Sequence, residues 1–421
     1  MDSSGRYLLR LLLLAALLEV AFLLLRRLHP WDENVAAVIG LGLAASLVYF
    51  LSTRLAFVWR EPSRAALWVV LLAALVFRLT LFGLPPSLSD DLYRYQWDGQ
   101  VQLAGHNPYR VAPADSKLQE LRPPNYDRLP GRDVPAAYGP LTELLFRLTA
   151  RLDGVAAFKL LSVLFDLGTL VLVAGLLRLR GEPPVRALLY GWCPLVVVEF
   201  AGSGHNDSLA LCALVAANFL IIRQRPGASI LALAAAVAAK WFAAVAAPVF
   251  FWRARWRNLL LFVAAAALVI LPYRDAGWGL LRGLATYAEK WRNNESLFAV
   301  LAAATGDERV AAGLAAGVVA GLALYCLRQR LEPLRATYLL LAALLLLSPS
   351  VFPWYVTWLV PFLCFFPNPA LLAWTATVWL SYHVLIDYSA TGLWQYKPWL
   401  VWLEYLPVYA LLLWNGRPTR R

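Results

Sequence analysis

Charged residues are scarce in this chain of 421 residues. They make up only 15% of it, while apolar types make up 61%; ordinary soluble domains have roughly 25% charged residues and 45–50% apolar ones. This composition excludes a typical soluble enzyme and an intrinsically disordered chain. The apolar runs are numerous enough to form about a dozen membrane-spanning helices of ~20 residues each.

Lysine and cysteine are also rare. Of the 38 basic residues, all but five are Arg. The four cysteines lie inside apolar runs, which indicates small buried side chains rather than a disulfide framework. The sequence contains neither a P-loop nor a G-x-G-x-x-G motif, and this disfavours direct use of a soluble nucleotide or nucleotide sugar.

Seventeen Arg residues cluster in six short gaps between apolar runs, at 54–64, 178–186, 223–225, 253–257, 328–335 and 417–421. This pattern is typical of the cytoplasmic loops of membrane proteins, and it differs from the basic stripe that binds nucleic acid. We therefore expect an all-α polytopic membrane protein, forming a single domain over residues 1–421. It should have about 12–14 transmembrane helices and both termini in the cytoplasm.

Successive crossings must alternate between the cytoplasmic and the outer side of the membrane, and this requirement gives two further predictions. Both flanks of the run 228–251 are Arg-rich, so this run should be a hairpin of two short helices that turns near Lys240. The stretch 138–150 should be an amphipathic helix at the outer interface rather than a crossing. The large outer loops are then 83–156 and 273–308, and both should carry juxtamembrane helices.

The strongest local signal is the pair Asp90 and Asp91, placed where the third apolar run leaves the membrane. Two adjacent carboxylates are costly at a membrane boundary and indicate a function. One of them could deprotonate an acceptor hydroxyl while the other positions a substrate or a cation. The alternative is a helix cap followed by a belt of interfacial Tyr and Trp side chains.

Two more polar signals interrupt apolar surroundings. His205-Asn206-Asp207 forms a short outer turn that could bind sugar hydroxyls, hold a divalent cation together with Asp90 or Asp91, or simply cap the next helix. Lys240 could contact a phosphate, or it could extend its ammonium group to the interface.

The stretch Asp90–Tyr109 resembles the first outer loop of GT-C glycosyltransferases, in particular the bacterial mannosyltransferases of family 87 and its relatives. These polytopic enzymes take a sugar from a polyprenyl-phosphate carrier. The similarity extends over residues 64–366. Further similar stretches follow in the family's order, at Tyr138–Leu141, Gly204–Asp207, Ala239–Lys240, Asn294–Phe298 and Ser348–Tyr355.

The resemblance implies a GT-C-like fold and an active site on the periplasmic face of a bacterial inner membrane. It implies transfer of a hexose, preferably mannose, from a polyprenyl-phosphate donor to a hydroxyl of a lipid or glycan acceptor. Asp91 would be the base of an inverting displacement. The adjacent acidic pair departs from the family's separated one, so Asp90 stays open as an alternative.

This scheme requires no cofactor, and the residues do not indicate a divalent cation, although one is possible. Its partners are the donor, the acceptor and membrane lipids, without nucleic acid. Candidate substrate-binding residues share an outer position and a polar or aromatic side chain: Arg94, Tyr95, Asp98, Asn107, Tyr109, Tyr138, His205, Asn206, Asp207, Lys240, Lys290, Arg292, Asn294, Trp354 and Tyr355.

The cations in this set, Arg94, Lys240, Lys290 and Arg292, are candidates for stabilising the departing phosphate, because Arg binds phosphate bidentately and Lys acts as a point charge. The alternative function is a transporter or flippase of a lipid-linked or anionic substrate. That alternative predicts internal repeats with broken helices in matching halves, and the sequence shows no obvious repeat.

Overall fold

The computed structural model describes residues 3–59, 63–152, 154–252 and 254–415. Within these ranges the chain is helical and contains no strand beyond one isolated bridge between Asn293 and Ser350. The all-α prediction is therefore confirmed. Residues 60–62, 253 and 416–421 lie outside the described residues, and they belong to three of the six Arg-rich gaps.

The helices of the first part are α1 Ser3–Arg27, α2 Val35–Val58, α3 Arg64–Phe82, α4 Asp91–Leu103, α5 Pro140–Thr149 and α6 Ala156–Leu179. Those of the middle are α7 Leu188–Gly191, α8 Pro194–Val197, α9 Asp207–Ile222, α10 Pro226–Ala239, α11 Ala247–Trp252, α12 Trp256–Ile270 and α13 Arg282–Lys290. The last are α14 Leu297–Thr305, α15 Glu308–Arg328, α16 Pro333–Leu346, α17 Pro353–Val356, α18 Val360–Leu363, α19 Pro369–Thr377, α20 Val384–Thr391 and α21 Pro398–Asn415.

Shorter helical turns connect these elements. The 3₁₀ turns are Ser116–Leu121, Tyr126–Arg128, Pro184–Ala187, Trp241–Ala246, Leu271–Leu281, Thr357–Leu359 and Val378–His383. One segment, Val198–Ser203, is a π-helix.

Seven helices in the described ranges are long and apolar enough to cross a membrane, which confirms the polytopic prediction. An eighth span is formed if the bent pair Pro184–Gly191 and Pro194–Ser203 crosses as one. Five shorter apolar helices of 10–17 residues accompany them. Reaching the expected 12–14 crossings requires these shorter helices to cross as well, so that number stays a prediction.

Two breaks interrupt the helices and shape the interior. The first break lies between Pro184–Gly191 and Pro194–Ser203, whose axes differ by 60°. It occurs at Pro194 because proline has no N–H to donate the hydrogen bond that would continue the preceding helix. The second lies at Lys240, whose extended backbone separates α10 from the 3₁₀ turn that follows. The predicted interruption at Lys240 is thus present in the structure.

A buried ion pair joins the helices of the core. The Arg78 Nε lies 2.6 Å from Asp166 Oδ2, and the Tyr190 hydroxyl donates to Asp166 Oδ1 at 2.7 Å. Both charged side chains are fully buried, and such a pair persists only when its polar atoms are satisfied. This network connects α3, α6 and α7 to one another.

The segments 83–156 and 273–308 both contain helices, and their position on the outer side of the membrane stays a prediction. In the first loop, α5 buries Thr142, Glu143 and Phe146 along one face, which agrees with an amphipathic helix. In the second loop, α13 continues from α12 through a 3₁₀ stretch, and α14 follows. The position of α5 relative to a membrane interface stays a prediction.

Candidate active site at the start of helix α4

The two adjacent carboxylates have different surroundings. Asp90 lies one position before α4, and its Oδ1 accepts from Arg128 Nη2 at 2.7 Å in a partly exposed ion pair. Asp91 is the first residue of α4, and its backbone N–H donates to Ser89 Oγ at 3.2 Å. Asp90 therefore connects the start of α4 to the turn Tyr126–Arg128, whereas the Asp91 side chain faces His205.

Asp91 lies beside His205 and remains accessible. Its Oδ2 is 4.0 Å from His205 Nε2, and 27% of its side chain is exposed. Burial raises the pKa of Asp91, and the nearby charges of His205 and Lys240 offset that rise only in part. A carboxylate with a raised pKa that can still be reached is suited to accept a proton from a hydroxyl.

Lys240 is held at the edge of this site by a second carboxylate. Its Nζ lies 2.6 Å from Asp207 Oδ2, and Asp207 Oδ1 accepts from Trp358 Nε1 at 2.7 Å. The ammonium group also lies 5.0 Å from the centre of the Tyr355 ring. Because 17% of the Lys240 side chain is exposed while Asp207 is buried, the cation can contact a ligand on its open side.

His205 is packed between an aromatic ring and a buried carboxylate. Its ring stacks on Trp354 with 4.0 Å between centroids, and Trp354 in turn stacks on Phe352 at 4.5 Å. The Nδ1 atom lies 3.0 Å from Glu199 Oε2. Burial alone would lower the pKa of His205, but the carboxylates around it outweigh burial and raise that pKa.

Arg94 does not reach the site with a free guanidinium group. Its Nε donates to Asp98 at 2.9 Å, and its terminal nitrogens donate to the carbonyl oxygens of Gly131 at 2.9 Å and Val134 at 3.0 Å. Burial raises the pKa of Asp98, and the Arg94 charge acts against that rise. The pair therefore anchors the first outer loop on α4, with its donors already used by protein acceptors.

The predicted tyrosines pack against one another beneath the loop. Tyr95 stacks on Phe146 at 4.7 Å and meets the Tyr138 ring edge-on at 5.2 Å. The Tyr109 hydroxyl donates to the carbonyl of Tyr138 at 2.8 Å, and its ring meets Tyr273. These contacts connect α4, α5 and the second outer loop, and they place Tyr109 in a buried supporting position.

The two predicted asparagines of the first half differ in their contacts. Asn107 Nδ2 donates to Asp275 Oδ1 at 2.6 Å, which links the two outer loops. Asn206 immediately follows His205, and its buried amide atoms have no hydrogen-bond partner among the residues that the structure describes. The Asn206 amide therefore differs from that of Asn107 in having no partner among those residues, while its atoms are closed off from solvent.

For the residues predicted in the second outer loop, the recorded ion pairs and hydrogen bonds are with groups other than Asp91. Lys290 is exposed at the end of α13, and Arg292 forms an ion pair with Glu295 at 2.6 Å. Asn294 Nδ2 donates to the buried carboxylate of Glu404 at 3.0 Å. These contacts of Arg292 and Asn294 are made within the loop and with α21 rather than with the start of α4.

Three side chains at the site were not among the predicted residues. Glu199 lies beside His205 and Trp358 donates to Asp207, as described above. The Tyr287 hydroxyl, from α13, lies 2.8 Å from the Tyr355 hydroxyl. Glu199 was detectable as an acidic residue inside an apolar run, but single aromatic residues in such runs give no comparable signal.

Within the described ranges, no three side chains of His, Cys, Asp or Glu are grouped so that they could hold a metal ion. The expectation that catalysis requires no metal stays a prediction. What the arrangement offers chemically is an accessible carboxylate at Asp91, with the His205 imidazole and the Lys240 ammonium group beside it.

Comparison with known proteins yields two family matches. Residues 8–255 match the N-terminal domain of the alpha-(1->6)-mannopyranosyltransferase family. Residues 299–414 match the domain described as the MptB C-terminal domain. The first match covers every predicted site residue of the first outer loop, together with His205, Asp207 and Lys240.

Two curated relatives have sequence identities of 25% and 27% to this chain. A probable alpha-(1->6)-mannopyranosyltransferase of Mycolicibacterium smegmatis is 25% identical over 359 residues, which cover 68% of this chain and 63% of the relative. Alpha-(1->6)-mannopyranosyltransferase A of Mycobacterium tuberculosis is 27% identical over 206 residues, covering 45% of this chain and 39% of the relative. The chain therefore spans less than two thirds of the length of these relatives.

Proposed function

Because this chain belongs to the alpha-(1->6)-mannopyranosyltransferase family, we propose that it transfers a mannosyl residue from a polyprenyl-phosphate donor to a hydroxyl group of a glycan or lipid-linked acceptor. The relatives are named alpha-(1->6)-mannopyranosyltransferases, which supports a 6-hydroxyl as that acceptor group. The family match also favours this enzyme over the transporter alternative.

The observation that carries the proposal is the position of Asp91. Its carboxylate is accessible, its pKa is raised by burial, and His205 lies 4.0 Å away. In the proposed step, Asp91 accepts the proton of the acceptor hydroxyl while the oxygen attacks the anomeric carbon of the donor. The bond from that carbon to the phosphate oxygen breaks, and its electron pair leaves with polyprenyl phosphate.

This step fits the residues around Asp91. A phosphate is a good leaving group and needs no protonation, so a single base is sufficient. The negative charge that develops on it is stabilised by a nearby cation, for which the open side of Lys240 is the candidate. Direct displacement inverts the anomeric centre, so an alpha product requires a beta-linked donor.

The proposed location follows from the Arg distribution and from the membrane helices. Both termini would lie in the cytoplasm, and the start of α4 would open to the periplasmic face of a bacterial inner membrane. Donor and acceptor would then meet where a polyprenyl chain can stay in the bilayer. A cysteine introduced at position 100 should react with a thiol reagent that is applied from the periplasmic side. Reaction only from the cytoplasmic side would contradict this orientation.

The test uses the full chain in lipid nanodiscs, a short-chain polyprenyl-phosphate mannose, and a synthetic mannoside acceptor. We expect a product whose alpha-(1->6) linkage is identified by NMR. Asp91→Asn should lower kcat by about 10²-fold or more, because it removes the base. The matched variant Asp90→Asn should retain most of the activity, since it removes only a partly exposed ion pair, which is worth about 0–1 kcal/mol.

Two results would contradict this proposal. If Asp91→Asn transferred mannose at the wild-type rate, Asp91 would not be the base. Transfer from GDP-mannose, without transfer from the polyprenyl donor, would overturn the donor class.

A further inference from the structure

Glu199 occupies an unusual backbone segment. It lies in the π-helix Val198–Ser203, which follows the 60° bend at Pro194 and ends at Gly204 in the left-handed region, with φ of +79°. Widened turns of this kind are rare and occur frequently at functional sites. The carboxyl group is fully buried and accepts a hydrogen bond from the Tyr382 hydroxyl.

The same segment fixes the position of His205. The His205 backbone N–H donates to the Glu199 carbonyl at 3.0 Å, and the Ser162 hydroxyl donates to the His205 carbonyl at 2.7 Å. The imidazole is also stacked on Trp354, with an angle of 17° between the rings. Backbone and ring are therefore both constrained, with Nδ1 facing Glu199 and Nε2 facing Asp91.

This orientation has a consequence for the protons on the ring. A neutral imidazole has only one N–H, whereas an imidazolium has two. Here Nδ1 lies 3.0 Å from one carboxylate and Nε2 lies 4.0 Å from another, so only the imidazolium presents an N–H to both. Neither nitrogen has a regular hydrogen bond within the described residues, so protonation of the ring would turn both contacts into ion pairs. The stacked face of Trp354 would stabilise the protonated ring through a cation–π contact.

We propose that Glu199 is a positioning residue that acts through His205: it orients the imidazole, keeps it cationic and thereby holds Asp91 ionised as the base. This inference rests on the proposed function. The charged groups near the imidazole are Glu199 itself, Asp91 from α4, Asp207 from α9 and Lys240 after α10. The charge of Asp207 is offset by Lys240, which lies 2.6 Å from it. In the described part of the chain, Glu199 is therefore the carboxylate without a cationic partner of its own that faces His205 Nδ1.

The proposal predicts how Glu199→Gln behaves. The amide carries no charge, so a neutral His205 becomes the favoured form and Asp91 loses an adjacent cation. An opposite charge within ~4–6 Å lowers the pKa of a carboxyl by about 1–3 units, and its removal reverses that effect. We therefore expect the acidic limb of kcat to move up by about one pH unit or more, while KM for the donor changes less than about twofold.

The experiment compares the full chain with Glu199→Gln, His205→Asn and the double variant, in nanodiscs. The matched control is Glu404→Gln, because Glu404 is another fully buried carboxylate that accepts hydrogen bonds from side chains. In the His205→Asn background, Glu199→Gln should have little further effect, since coupled residues are not additive. Glu404→Gln should leave the acidic limb in place.

A spectroscopic readout is independent of turnover. With ¹⁵N-labelled histidine, assigned by comparison with His205→Asn, the wild-type ring should be doubly protonated at neutral pH and the ring of Glu199→Gln should be neutral. A neutral ring in the wild type, an unmoved acidic limb in Glu199→Gln, or additive losses in the double variant would overturn the inference. Absence of transfer by the wild type would refute the proposed function instead, and the spectrum would still decide the state of His205.

Discussion

Gly139 lies at a close contact between the first outer loop and the segment that presents Lys240. Its backbone N–H donates to the Ala239 carbonyl at 3.3 Å, and Thr142 Oγ1 donates to the same oxygen at 2.8 Å. A Cβ atom added at Gly139 would lie 2.2 Å from the Ala238 carbonyl oxygen. Gly139→Ala should therefore separate α5 from the end of α10.

The size of the effect follows from which atoms collide. The neighbours of the added Cβ are backbone atoms of Ala238 and Ala239, which cannot rotate away as a side chain would. Relief requires the two segments to move apart by about 1 Å, to reach ordinary contact distance. Overpacking of this kind costs about 1–3 kcal/mol, and weakening the two hydrogen bonds adds about 1 kcal/mol each.

The backbone of Gly139 itself is not strained, since its φ of −71° and ψ of 153° suit any residue. The substitution therefore tests packing alone. The matched control is Gly40→Ala within α2, where an added Cβ has no heavy atom within 4 Å. That change should be neutral or stabilising by about 0.5–1 kcal/mol, because alanine favours a helix over glycine.

The assay is thermal unfolding in nanodiscs, followed by mannosyl transfer at a temperature where each variant is folded. We expect Gly139→Ala to lower the Tm by several degrees and to lower kcat, because Lys240 is displaced from the site. An unchanged Tm and unchanged kcat for Gly139→Ala would show that this contact does not hold the site. A loss in Gly40→Ala of the same size would show that the assay does not report packing.

Three further predictions follow from other contacts. The raised pKa of Asp91 should place the acidic limb of kcat above the ordinary Asp value of ~3.9, with activity lost as pH falls through it, as a pH–rate profile would measure. Arg94→Lys should loosen the loop around Gly131, because lysine cannot donate in the same planar pattern, and limited proteolysis of that loop should become faster. Arg78→Met should lower stability by about 3–5 kcal/mol by leaving Asp166 buried without its partner, as chemical unfolding in detergent would measure.

Much of the fold was predictable because its signals are local. Apolar runs of spanning length indicate helices wherever they occur, and the all-α polytopic prediction is confirmed. The family resemblance drawn from Asp90–Tyr109 and later stretches is confirmed by the family match over residues 8–255. The interruption at Lys240 was also foreseeable, because its Arg-rich flanks are incompatible with a single crossing.

The composition of the site was predictable only in part. His205, Asp207 and Lys240 were identified as polar residues in apolar surroundings, and the structure brings them to Asp91. Arg94 was equally conspicuous, yet its guanidinium group is used by Asp98 and the loop carbonyls. The charge of a side chain can be read from a sequence, but the partner that neutralises it depends on which helices are neighbours.

The sequence alone determined that the chain is a helical membrane protein of this family. The length of an apolar run and a short motif are both properties of one continuous segment, so neither depends on how the helices pack. Only the tertiary structure decided that Asp90 pairs with Arg128 while Asp91 faces His205, since adjacent residues at a helix start point in different directions. The role proposed for Glu199 likewise arises from folding. A bend and a widened helical turn bring its carboxylate to the imidazole, and no periodic pattern in the sequence encodes that contact.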